Sequence, residues 1–198
     1  MGSLGSWFPV YDGNPFTYIG AYNSTLYNNG ALMPLGTIAC VPLPASALGT
    51  ATGKGSYLVM KYVQYKAASA PSPVTGPAPV YYIDETLTAV SGAAADAGIG
   101  INGAGFLLPN TTSISGLTDA MLENNFVWIG LAGVIPKAVV PALTAVSDLL
   151  VASGTSSFLL ARSAASASSG GVSARPMAYA MAGVSGGLAD VMAVITPF

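Results

Sequence analysis

Histidine is absent from all 198 residues. With it go the commonest general base, the Ser-His-Asp arrangement and most transition-metal sites. Cysteine occurs once, at Cys40, so no intrachain disulfide can form and no CxxC spacing exists to hold zinc. A lone thiol of this kind is expected to be a buried apolar side chain. Charge is scarce: Lys and Arg total 6 and Asp and Glu 8, together 7% of the chain, where a soluble domain carries about a quarter. The basic residues are scattered, which excludes an electrostatic footprint for nucleic acid or anionic lipid. Residues 1–10 contain no basic residue, and no apolar run followed by a small-residue cleavage site opens the chain. Synthesis and assembly in a cytoplasm, without a cleaved export signal, is the expectation.

What is present is apolar: 52% of the residues are hydrophobic. Such a chain either enters a membrane or hides much of its surface against other subunits. The best candidate for a spanning helix, residues 126–152, carries Pro136, Lys137 and Pro141 at its middle and Asp148 near its end. A central charge costs at least ~2.5 kcal/mol on insertion, and each proline removes a backbone donor. A transmembrane β-barrel is suggested by the terminal Phe198 after the apolar run 191–195, but that run does not alternate apolar with polar and Pro197 adjoins the terminus. Burial against further copies of the chain is the better account, so a homo-oligomer without membrane contact is expected.

Two regions follow from the local pattern. Residues 1–56 are rich in Gly, Asn, Pro and aromatic residues without helical or strand period, and they read as an extended arm. Its rings, Trp7, Phe8, Tyr11, Phe16, Tyr18, Tyr22 and Tyr27, are the candidate interface residues, because each buries roughly 150–250 Å² at low rotamer cost. Residues 57–198 read as a β domain. Tyr57–Tyr65 is a strong strand, 67–79 a proline-rich loop, and 80–83 and 86–90 two strands, or one bulged strand, around Asp84-Glu85. Further strands are expected at 126–131, 134–140, 148–152, 157–161, 176–183 and 188–195, with a short helix within 113–125. A helix through 159–169 is the alternative there, since alanine favours it. The fold class is therefore all-β: a small barrel or sandwich with at most one or two short helices.

A search for chemistry finds none. Asp84-Glu85, the one adjacent carboxylate pair, reads as a solvated turn. Residues 49–56 approach a phosphate loop, yet Gly53 stands four positions after Gly49 instead of five, and a strand follows instead of a helix. Asp96, Asp119, Asp148 and Asp190 are too dispersed for a calcium loop. No catalytic residue, cofactor or metal is expected, and the chain reads as a non-enzymatic protein. A membrane-associated β protein, porin-like or from an envelope, and a carbohydrate-binding β module suggested by the tyrosines are the alternatives.

Several short motifs bear a likeness. Residues 126–134 run aromatic-Val-Trp-Ile through Gly130 to a second apolar strand; Asp148-Leu149-Leu150-Val151 follows; residues 177–181 and 186–194 close as a hairpin. Upstream, Lys61-Tyr62-Val63-Gln64-Tyr65 precedes Val80-Tyr81-Tyr82-Ile83-Asp84-Glu85. Across 57–198 this resembles the small β-barrel decoration, or cement, proteins of tailed bacteriophages. The resemblance implies a structural virion protein on the outer capsid surface, trimeric at threefold or quasi-threefold positions, whose partner is the major capsid protein. Two departures stand out. Residues 1–56 have no counterpart, and Gly130 occupies a position where the pattern has a polar residue, which implies an altered surface contact.

Overall fold

The computed structural model describes residues 34–42, 57–66, 77–92, 103–107, 126–152, 160–162 and 176–195. Every regular element among them is a strand: β1 (Ile38–Pro42), β2 (Tyr57–Tyr65), β3 (Ala78–Tyr82), β4 (Ala89–Ser91), β5 (Gly103–Leu107), β6 (Phe126–Val139), β7 (Leu149–Ala152), β8 (Leu160–Arg162), β9 (Pro176–Ala180) and β10 (Leu188–Val194). The protein is all-β there, and no described helix is long and apolar enough to cross a membrane. The short helix expected within 113–125 lies outside the described residues. At the start of the alanine-rich alternative helix, Leu160–Arg162 pairs as a strand with β7.

The pairings close a ring. β2 pairs with β4, β4 with β3, β3 with β5, β5 with β6, and β6 returns to β2. All these pairs are antiparallel except β2–β4. From this five-stranded barrel the sheet continues through the second half of β6 into β10, β9, β7 and β8. Two apolar cores result. Val63, Tyr65, Val80, Val90, Val127, Ile129 and Leu131 pack with their neighbours as one cluster, drawn entirely from the ring strands. The opposite faces of the same strands, through Leu58, Met60, Tyr62, Phe106 and Trp128, join Ile135, Leu150, Met177, Val191 and a set of alanines in the other. β2 and β6 are thus buried on both sides, which explains why their sequences are nearly continuous apolar runs instead of alternating ones.

Residues 126–139 form one strand, where the sequence predicts two short ones ending and restarting at the glycines. The chain survives Gly130, Gly133 and Pro136 by bulging. Leu131 is the extra residue between the pairs Met60↔Gly130 and Val59↔Ala132. Gly133 follows at φ 114°, and a Cβ there would collide with the Tyr57 carbonyl oxygen, so only glycine lets β2 and β6 cross at this point. At the second bulge Pro136 and Lys137 stand opposite Asp190, whose carboxylate accepts the Lys137 N–H at 2.9 Å. That bond receives a backbone donor that the ladder leaves over.

Three expectations need correction. Ala78 and Pro79, assigned to loop, belong to β3. The proline fits because β4 flanks β3 only from Tyr81 onward, so at Pro79 the strand has one ladder neighbour, β5. Cys40 is exposed, not buried: among the described residues β1 pairs only with β2, and strand alternation sends Ala39 into the core and the thiol outward. Gly130 is no surface position; it is buried, paired with Met60 and Phe106.

Candidate functional site

The arm residues Trp7, Phe8, Tyr11, Phe16, Tyr18, Tyr22 and Tyr27 lie outside the described residues, as does the glycine-rich stretch 49–56. One part of the region read as arm is placed: β1, which adds to β2 of its own chain. Asp84 and Glu85 sit in the turn between β3 and β4, where the Asp84 carboxylate accepts the Thr86 hydroxyl at 2.9 Å. The solvated turn read from the sequence is what the fold contains.

Two features outside those expectations carry chemistry. The first is an apolar flank. Six large hydrophobic side chains are exposed among the described residues, and five of them, Leu143, Val146, Tyr179, Met181 and Val194, belong to the β6–β10 half of the molecule. Leu143 and Val146 lie on the connection between β6 and β7, which is tightly tied. Thr144 N–H bonds the Pro141 carbonyl, the Asp148 carboxylate accepts the Ala145 N–H at 2.7 Å, and Ser147 N–H reaches Ala180 O at 2.8 Å. Val184 N–H to Thr144 O, 3.0 Å, fastens the β9–β10 hairpin against the same loop. These apolar tips are therefore held out by a fixed backbone. Leu143 is 78% exposed, so nothing within the described part of the chain covers it. On the adjoining sheet face the register sets Met192, Tyr179 and Leu149 side by side across β10, β9 and β7.

The second feature is a buried lysine. Lys61 lies on the face of β2 that also carries Val63 and Tyr65, and it is 6% exposed. Its Nζ donates to the Tyr82 hydroxyl at 3.2 Å and lies 5.0 Å from that ring's centroid. Burial pushes the Lys61 ammonium below the ordinary lysine value and pushes the Tyr82 phenol up to about 12. Tyr82 therefore keeps its proton near neutrality and serves as a hydrogen-bonding partner, not as an acid–base group. No group of three or more Cys, Asp and Glu side chains that would hold a metal is found among the described residues. The sequence signal for the lysine was its position on the same parity as Val63 and Tyr65, and a lysine alternating with polar neighbours reads as solvated unless the strand's second buried face is known.

A closed, packed β-barrel extended by a second sheet with an apolar flank is the class that the fold defines. No family model, curated protein or solved structure matches the chain.

Proposed function

We propose that the protein is a structural virion component of the capsid-decoration kind: a self-associating β module that binds the outer surface of a phage capsid and ties neighbouring capsomers together. The observation that carries this reading is the grouping of Leu143, Val146, Tyr179, Met181 and Val194 on one half of a chain with 7% charged residues. Apolar side chains fixed on a rigid loop cost little ordering entropy on association, which is what a permanent interface requires. In this reading the flank serves contact between copies, most simply in a trimer, and the rings of Trp7, Phe8, Tyr11, Phe16, Tyr18, Tyr22 and Tyr27 anchor the assembly on the major capsid protein.

The test separates the two contacts. Replacing Leu143, Val146 and Met181 together by serine should leave the unfolding free energy within about 0.5 kcal/mol per site, since these are surface positions, while shifting the sedimenting species to monomer. Deleting residues 1–30 should leave the oligomer intact and release it from capsids in a pelleting assay. A wild-type protein that sediments as a monomer and never pellets with particles would overturn the reading.

A further inference from the structure

Along one edge of β2 two strands lie end to end. β1 runs antiparallel as far as Lys61, and its lead-in continues with Gly36 N–H to Tyr62 O and Tyr62 N–H to Thr37 O, both 2.8 Å. There β4 takes over in parallel, beginning with Gln64 N–H to Thr88 O at 2.8 Å. The barrel wall therefore has a seam between Gly36 and Thr88, where one strand ends and another of opposite direction begins.

Lys61 is at that seam. The Cβ position of Gly36 lies 3.9 Å from Lys61 Cε and 4.0 Å from Thr88 Cγ2, so the lysine stem and the Thr88 methyl both border Gly36 at the seam. Its ammonium carries three N–H bonds and, among the described residues, makes one hydrogen bond, to Tyr82. No carboxylate pairs with it there. The nearest acidic residues in the chain's path, Asp84 and Glu85, stand on the β3–β4 turn. The Asp84 carboxylate is engaged by Thr86, whose hydroxyl also meets that of Thr88 at 2.7 Å. The residue is 6% exposed and its bond to Tyr82 is part-buried, so an ammonium with donors to spare meets little water there and favours an anion.

The geometry points to a carboxylate-receiving site at this seam. The Lys61 ammonium and the Tyr82 hydroxyl together take the carboxylate of a small ligand or of an acidic side chain from another protein, at the seam bordered by Gly36 and Thr88. Two donors on one carboxylate make charge-assisted hydrogen bonds, the strongest available in such surroundings. Planar, doubly accepting oxygens suit the pair better than a spherical halide does. Binding holds the lysine protonated, so affinity falls as pH rises past the point at which the empty site loses its proton.

The full chain, labelled with carbon-13 and nitrogen-15 in lysine, tests this by NMR titration of the Lys61 amine. Lys61→Met assigns the signal. Saturating sodium acetate should move its titration midpoint upward by about one pH unit or more, matching tenfold tighter binding to the charged form, while equal ionic strength of sodium chloride should not. Tyr82→Phe should weaken acetate binding about tenfold and keeps the test open if the Lys61 variant fails to fold. A terminally blocked Gly-Asp-Gly peptide, which offers only a side-chain carboxylate, separates the sources. Binding of acetate alone identifies a small free ligand; binding of the peptide, with or without acetate, identifies an acidic side chain. If neither probe moves the Lys61 midpoint beyond the chloride control, the lysine is served by solvent and the site does not exist.

Discussion

The two cores are built from opposite faces of the same strands, yet they differ in kind. The barrel interior is filled by bulky side chains, Tyr65, Val80, Val90, Leu107, Ile129 and Leu131 among them, converging from a closed ring of strands. The second core receives large residues from the barrel's outer face, and from the appended strands it receives Ile135, Leu150, Met177 and Val191 interspersed with five buried alanines, Ala138, Ala178, Ala180, Ala189 and Ala193. Alanines bring the layers close and bury little area each, so the appended sheet gains less from its own inner face. Its other face and its loop tips are where apolar surface is left exposed. A region that closes on itself and a region that leaves apolar side chains exposed are thus joined through β6.

The largest test of this contrast lies in two adjacent residues. Trp128 faces the shared core, with its ring centroid 5.2 Å from that of Tyr62, and Ile129 faces the barrel interior. Trp128→Ala should cost about 3–5 kcal/mol and Ile129→Ala about 2–5 kcal/mol in chemical denaturation. Hydrogen exchange should show the tryptophan variant loosening β9 and β10 before the barrel, and the isoleucine variant loosening both together. Uniform loosening by both would erase the distinction between the cores.

A smaller effect probes the alanine face. Ala178→Leu adds volume at a fully buried position of the second core and should destabilise by about 1–3 kcal/mol through overpacking. A gain in stability would show slack in the second core and remove its contrast with the barrel interior.

The smallest effect is electrostatic, and it concerns the Lys61–Tyr82 pair. The folded Lys61 titrates below the ordinary 10.5, so as pH climbs toward that value the folded chain sheds its proton first. The unfolded state then binds more protons, and stability rises through that window. Tyr82 acts in the opposite sense: its folded value of about 12 exceeds the ordinary 10.0, so between these values the unfolded chain loses its proton first and stability falls. Urea unfolding against pH should show Lys61→Met lacking the rise and Tyr82→Phe lacking the fall, each relative to wild type.

Much of the β architecture was legible locally. Tyr57–Tyr65 was expected as a strand at the bounds observed, and the segments around β7, β9 and β10 were expected within a few residues. These succeed because β-branched and aromatic residues bounded by glycine and proline leave few other ways to bury apolar surface. The errors share a different cause. Pro79 was misjudged because a proline's place depends on which neighbour the strand lacks. Cys40 and Gly130 were misjudged because their exposure depends on whether a strand has one partner or two. A continuous β6 is not legible locally, because a bulge at Leu131 or at Pro136-Lys137 is favourable only when another strand is there to receive it.

The sequence by itself determined that the described part of the protein is built of strands, that no histidine-based chemistry is available, and that apolar residues far outnumber charged ones. Composition and local pattern suffice for these, since they depend on what each residue is. Only the tertiary structure decided that the strands close into a ring, that a lysine is enclosed at a seam in the wall, and that Leu143 and Val146 stand outward on a braced loop. Those outcomes depend on pairings between residues far apart in the chain, and the faces of β2 and β6 acquire their separate roles only once both neighbours are in place.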